Sequence, residues 1–335
     1  MKQLELLLPF SIPPAALAVD LIKQMHTPAF STLLARSSAR KVLGFEEFSR
    51  SLPHETLLAG AKYDNTDVLP AAPSSPADTY NKMQALGLAP TAGHWFTLSP
   101  VHIHIARDHL VLTDWRRLPL AEQEARALFD AAQGMCEEVG KTLFYGDAGT
   151  WFLRADDWSD MQTATPDAAC GHNIDIWMAK GTQELAWRKL QNEIQMLWFA
   201  HPVNAERETR GDLPVNSVWL WGGSDEPAEA PNYARGRQAL DQILAAKSEN
   251  HLLVLDELLE ASLNSDWGSW LQQMHHLETA CMAPLLQALR DGRLQQLRLI
   301  LSDGATLAYH TVSPWSLRRF WIRPNLNPLL TLAAP

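Results

Sequence analysis

Three tracts carry the side chains best suited to chemistry. In Val101-His102-Ile103-His104-Ile105-Ala106-Arg107-Asp108-His109, strict alternation puts His102 and His104 on one face of a strand and the aliphatic residues on the other. Two imidazoles with a nearby carboxylate match the donors that zinc or iron takes, so His102, His104 and Asp108 form one candidate metal set. The plainer alternative is a polar strand face with hydrogen-bonded histidines. In Thr165-Pro166-Asp167-Ala168-Ala169-Cys170-Gly171-His172-Asn173-Ile174-Asp175, small and turn-forming residues lead to polar groups. This loop could bring backbone N–H groups and His172 to an anion, or simply start a helix with Asp167 as its cap. Cys170 beside His172 also permits a thiolate nucleophile, if the imidazole reaches it. In His201-Pro202-Val203-Asn204-Ala205-Glu206-Arg207-Glu208-Thr209-Arg210-Gly211, the arginines three apart share a helix face. Two guanidiniums there suit a phosphate or carboxylate, although Glu206 and Glu208 could equally make this a solvated helix end.

The elements that must position these groups follow from periodicity. Leu4–Phe10 reads as a buried strand, Ala15–Met25 as a helix, and Thr27-Pro28 as the capped start of a helix to about Ser37. Leu69–Pro76 is a proline- and serine-rich linker. Trp95–Leu98, Val101–Ile105 and Leu110–Leu112 read as strands. A helix is expected over Leu120–Glu138, then a hairpin of Leu143–Tyr145 with Trp151–Leu153. Trp187–Phe199 is an amphipathic helix, and Val215–Trp221 a strand ending in Gly222-Gly223. Helix Tyr233–Ala246, strand His251–Leu255, helix Trp267–Arg290 and strand Leu297–Leu301 then alternate. This implies βαβ units and a parallel sheet. The expected organisation is an α/β core from 1–76 and 214–335, with 77–213 as an inserted α+β domain facing substrate.

Composition narrows the function. The 335 residues are 46% hydrophobic and 20% charged, which is globular rather than disordered. A net charge of −10 gives no overall field for nucleic acid or an anionic membrane, so neither is an expected partner and any anion site must be local. Thirteen tryptophans are expected partly at cleft walls and seams. Three scattered cysteines make no CxxC pair and suit a reducing cytoplasm. No stretch approaches the roughly 18 apolar residues of a membrane span. Met1–Ala18 weakly imitates a signal peptide, but Glu5, Pro9, Pro13 and Pro14 favour a buried first strand.

His-Pro-Val-Asn at 201–204, the arginine and glycine that follow, and Pro214-Val215-Asn216-Ser217-Val218-Trp219-Leu220-Trp221-Gly222-Gly223 resemble the archaeal-type, cofactor-independent phosphoglycerate mutases. Thr165–Asp175 is similar to the proline- and histidine-bearing loop upstream in that family, and Thr27–Ala35 to its first helix start. The chain as a whole most resembles a bacterial offshoot of that family, the RpfE-type regulatory proteins. The resemblance implies an alkaline-phosphatase-like core: a mostly parallel sheet flanked by helices, with an inserted domain. Active relatives use two divalent metals and a phosphoryl-carrying serine, which demands many Asp and His ligands. This chain departs from that set. Leu8-Pro9-Phe10-Ser11 stands where a ligand-bearing Asp-Gly is expected. Arg50-Ser51-Leu52-Pro53-His54-Glu55 stands at the nucleophile, with Ser51 as the candidate hydroxyl. Asp256 and Asp303 lack their partner histidines, and His310 matches the final metal histidine.

Asp256, Asp303 and His310 are thus the surviving ligand positions, enough for one weakly held divalent cation (Mn, Mg or Zn) rather than a bimetal clamp. The expectation is a protein that binds a small phosphorylated or carboxylated metabolite, with phosphoryl transfer largely lost and a regulatory role. His172, Asp175, His201, Asn204, Arg207, Arg210, Asn216 and Trp221 would form the binding residues, with Trp219 as a further wall. The alternative is an active metal-dependent enzyme with a rearranged site at His102, His104, Asp108, His109 and Asp175. A third possibility is a protein-partner module that uses its tryptophans at an interface.

Overall fold

Leu4, Leu6, Leu7 and Leu8 are all buried in the first strand, as a strand covered on both faces requires. The structure, a computed structural model, describes residues 3–61, 68–106, 109–245 and 250–333. Numbered along the chain, the strands are β1 (Gln3–Leu8), β2 (Ala39–Phe45), β3 (Val68–Leu69), β4 (Trp95–Val101), β5 (Ile103–Ala106), β6 (His109–Leu112), β7 (Thr142–Asp147), β8 (Thr150–Arg154), β9 (Ser217–Ser224), β10 (Tyr233–Arg235), β11 (Asn250–Val254), β12 (Gln296–Ser302) and β13 (Thr306–Val312). The chain divides into two units. The first is Met1–Glu47, Gly60–Pro70 and Ala230–Pro335; the second is Phe48–Ala59 and Ala71–Glu229.

The first unit is mixed α/β, built on a seven-stranded sheet ordered β10-β11-β1-β12-β13-β2-β3. Neighbours are parallel except where β13 runs against β12 and β2, so the sheet is mostly parallel. Leu4, Leu6 and Leu8 share a core with Phe30 and Leu33 of helix Pro28–Ala35, with Trp270 and Met274 of helix Trp267–Leu277, and with Leu285 and Leu289 of helix Ala283–Arg290. The last two helices are the expected Trp267–Arg290 segment, joined by a π-helical turn over Glu278–Met282. That turn places the Glu278 carboxylate against the start of the Pro28 helix, where it accepts from Ala29 N (2.6 Å) and Phe30 N (3.0 Å). The Thr27 side chain, expected as the cap, makes no capping bond; a carboxylate from across the core satisfies those donors instead. Tyr233–Arg235, read from sequence as helical, adds an edge strand to β11, and the helix starts at Gln238.

The second unit holds a four-stranded antiparallel sheet, β7-β8-β4-β9, and the two-stranded ribbon β5-β6. The expected hairpin is present as β7 and β8. Helices Glu122–Glu138 and Glu184–Phe199 lay Leu128, Phe129, Leu190 and Ile194 on the sheet core with Trp151 and Trp198. Trp151 and Trp198 meet edge to face at 5.7 Å, and Trp158 and Trp187 at 6.1 Å. Six tryptophans (95, 151, 158, 187, 198 and 270) are among the largest fully buried side chains, so these indoles serve the cores, where cleft walls and seams were expected to take part of the set. Residues 217–224, expected in the C-terminal part of the core, pair instead with β4 as β9. No helix among the described residues is long and apolar enough to cross a membrane.

Candidate functional site

Charged and hydroxyl groups of the second unit gather around helix Pro53–Leu58. This helix begins with Pro at its first position and Glu55 at its third, and the Glu55 carboxylate reaches back to Leu52 N at 2.7 Å. The same oxygen accepts from Thr165 Oγ1 at 2.7 Å. Thr165 caps helix Pro166–Ala169 through Ala168 N at 3.2 Å, which sets Asp167 in place. Asp167 takes both arms of Arg116, at 3.0 and 2.6 Å, and the indole N–H of Trp115 at 3.2 Å. Arg116 Nη1 also reaches Asp114 at 2.9 Å. Burial opposes the Arg116 charge, but the two carboxylates outweigh it and hold its pKa above the usual value.

Lys82, on helix Thr79–Ala85, stands 3.4 Å above the Trp221 ring and 2.6 Å from Asp78 Oδ1. The Trp221 N–H donates to Ser99 Oγ at 3.1 Å. Burial lowers the Lys82 pKa, against the pull of Asp78. Glu55 moves the other way: burial first, then the Asp167 charge, push it up to about 8, so it carries a proton at neutral pH. The Arg116 fork is taken by Asp167 and Asp114, so the neutral Glu55 acid, which can donate, and Lys82, over its indole, are the groups able to meet an oxyanion or a hydroxylated acid.

Replacing Glu55 with Gln keeps an oxygen for Leu52 N and Thr165 Oγ1. Below the ordinary glutamate pKa of about 4.3, wild-type Glu55 is protonated folded and unfolded, so its burial costs nothing. As pH rises towards about 8, only the unfolded chain releases the proton, and wild-type stability falls. Glu55→Gln is therefore expected to be more stable than wild type by about 1–2 kcal/mol near neutral pH, with the gain fading towards about pH 4.5. Urea unfolding at both pH values measures this, and a gain that grows on acidification would contradict it.

The residues singled out from sequence take varied places. Ser51 is buried just before helix Pro53–Leu58, with its hydroxyl 3.0 Å from Thr56 Oγ1 of that helix. Cys170 is not a thiolate: burial, then Asp114, pushes its thiol up to about 12. His172 and Asp175 are exposed, and the His172 ring lies 6.1 Å from that of Trp177. His201 caps helix Pro202–Arg210 through Val203 N at 3.3 Å. Asn204 is an internal staple, donating to Trp198 O and Val215 O and accepting from Val215 N. Trp219 is buried and donates to Ala164 O.

Arg207, expected at an anion, is fully buried and donates to Leu213 O (2.8 Å), Pro119 O (2.9 Å) and Glu124 Oε2 (2.6 Å). Arg210 is exposed but paired with Glu124 and Asp212. The shared helix face predicted for the two arginines thus points at Glu124. Asn216 clasps the backbone of Ile103 from both sides, Ile103 N to Oδ1 and Nδ2 to Ile103 O, each 2.8 Å. The expected continuous strand Val101–Ile105 accordingly breaks at His102. The predicted common face holds: the His102 and His104 rings stack 6.0 Å apart at 14°. Burial holds the His102 imidazole below its ordinary pKa. Asp108 lies outside the described residues.

The ligand positions implied by the resemblance fall in the first unit and do not fit a shared cation. Asp256, just beyond the carboxyl end of β11, is ion-paired with Arg235. Asp303, beyond β12, turns back to accept from Ala305 N at 2.8 Å, and burial raises its pKa. His310 lies inside the sheet opposite Leu299, with Nδ1 3.3 Å from Ser37 Oγ and a buried Nε2 that has no protein partner. Among the described residues, no group of three His, Cys, Asp or Glu side chains is placed to hold a metal ion. Sequence reasoning passed over Glu55, Lys82 and Arg116. The Leu52-Pro53-His54-Glu55 helix start was the available signal for Glu55; for Lys82 and Arg116 there was none.

No family model matches the chain. It is 28% identical over 160 residues to the probable 2,3-bisphosphoglycerate-independent phosphoglycerate mutase of Geobacter sulfurreducens, covering 47% of this chain and 39% of that protein. It is 21% identical over 212 residues to the 2,3-bisphosphoglycerate-independent phosphoglycerate mutase of Methanosarcina mazei, covering 62% of this chain and 50% of that one. The matched stretch therefore spans half or less of the length of these relatives. Among solved structures, the PH0037 protein of Pyrococcus horikoshii is similar in fold, with a TM-score of 0.53 at 10% identity over 98% of this chain and 92% of that one.

Proposed function

We propose that this protein binds a small phosphorylated or carboxylated metabolite and regulates rather than transfers a phosphoryl group. The observation that carries this reading is the cluster of Glu55, Thr165, Asp167, Arg116 and Lys82 beside Trp221, set against Asp256, Asp303 and His310, which are not gathered into a metal-holding group among the described residues. The similarity to phosphoglycerate mutases supports the ligand class, since the substrate named there is a phosphorylated carboxylate. In this reading the second unit is the inserted, substrate-facing domain and Lys82, paired with Asp78 and lying over Trp221, supplies the positive charge that meets the ligand. The ligand is met in the cytoplasm, and the acidic chain engages neither nucleic acid nor membrane.

Calorimetric titration with 3-phosphoglycerate, with and without Mn²⁺, tests the proposal. Binding that does not need Mn²⁺ and weakens about tenfold or more in Lys82→Gln is the expected result, as loss of a charge-assisted contact implies. Absence of binding in both conditions overturns it. Metal-dependent turnover in a coupled mutase assay would instead favour the alternative of an active enzyme with a rearranged site.

A further inference from the structure

Ile103 separates two histidines and is the residue that Asn216 clasps by both backbone groups. The backbone carrying His102 and His104 is thereby fixed by a side chain from β9's approach, and Thr113 N adds a bond to His102 O at 2.9 Å. His102 Nδ1 lies 2.8 Å from Pro214 O. A carbonyl only accepts, so the neutral ring carries its proton on Nδ1 and presents the Nε2 lone pair outward from that bond. His104 Nδ1 meets Thr113 Oγ1 at 3.1 Å, a hydroxyl able to accept its N–H in the same way. An imidazole whose far nitrogen is held by a carbonyl or hydroxyl is the arrangement that orients metal-ligating histidines.

We propose that His102 and His104 form a two-imidazole site for a divalent transition cation of the zinc, nickel or copper class. The site is distinct from the metabolite cluster and does not depend on that reading. Nitrogen donors select these ions over Mg²⁺ and Ca²⁺, which take oxygen. The rings already lie on one face, 6.0 Å apart and nearly parallel. An imidazole lone pair lies in its ring plane and stacked planes do not converge on one ion, so the exposed His104 ring must turn as well as close towards the fixed His102 ring to bring the two nitrogens roughly 3 Å apart. No third His, Cys, Asp or Glu among the described residues completes a set, so water fills the remaining positions.

Titration of Zn²⁺ into the full chain, purified without a histidine tag, tests the site by calorimetry. Wild type is expected to bind one zinc, with affinity falling about tenfold or more in His104→Ala and in His102→Asn. Excess Mg²⁺ is expected to leave zinc binding unchanged. His104 is exposed, so its variant retains the fold, which circular dichroism verifies. Imidazole nitrogen shifts of both rings on zinc addition provide a second readout. Zinc affinity unchanged in His104→Ala, displacement by Mg²⁺, or no binding at millimolar zinc each overturns the proposal; the first would move the ion to another pair such as His26 and His275.

Discussion

Arg207→Met is expected to destabilise the fold by about 3–5 kcal/mol, the cost of breaking a buried ion pair by removing one partner. The guanidinium is wholly enclosed and meets Leu213 O, Pro119 O and Glu124. Methionine fills much of the volume but leaves two carbonyls without their donor and Glu124 with Arg210 and Ala121 N as its remaining partners. A second change, Glu124→Leu, removes the carboxylate that faced the lost guanidinium and should recover part of the loss, since an apolar pair of similar volume is often tolerated. Urea unfolding of both variants measures the effect. A loss below about 0.5 kcal/mol would mean the side chain is not the internal tie described. Affinity for 3-phosphoglycerate should stay within about twofold in the folded variant, because Arg207 faces protein rather than ligand; a collapse of affinity at intact stability would restore the anion role expected from sequence.

The second large effect is an acid sensitivity set by His310. Burial, reinforced by Arg40, lowers its pKa to about 4, against about 6.5 in an unfolded chain. Above the unfolded value neither state is charged, and stability is at its full level. As pH falls below it, the unfolded chain takes up a proton that the folded chain refuses, so stability is lost progressively down to about pH 4. The maximum loss is about 3 kcal/mol. His310→Leu removes this slope, and unfolding curves for both proteins between about pH 7 and about pH 4 compare them directly. Equal slopes would show that the imidazole accepts its proton without strain. Glu55 works in the opposite sense, so a stability maximum is expected at mildly acidic pH.

Much of the architecture was legible because it rests on local pattern. The buried leucines of β1, the β7–β8 hairpin and the alternating strands and helices near the C-terminus follow from periodicity and turn residues. Period two also placed His102 and His104 together. The break at His102 was not legible, because its cause, Asn216, lies 113 residues from Ile103. Arg207 and Arg210 illustrate another limit: helical spacing says which residues share a face, not whether that face meets solvent or a carboxylate from another helix. The helix Pro202–Arg210 is polar enough to look solvated, yet Asn204 and Arg207 are buried in it. Similarly, Asp256 and Asp303 do follow parallel strands, but an arginine and a turn engage them, interactions that no spacing reveals.

The position of β1 has a consequence for synthesis. It lies between β11 and β12, in register from Gln3 beside Asn250 and Gln296 to Leu8 beside Leu301. On a ribosome, this leucine-rich segment emerges long before β11 and β12, and neither flank can be zipped until the chain between has been made. A nascent chain in that interval carries an unpaired apolar ribbon, the kind of surface that chaperones hold and that aggregates when they do not. Ribosome-bound intermediates stalled between residues 260 and 290 should therefore expose Leu4–Leu8 to protease, and protection should appear only once β12 has been delivered.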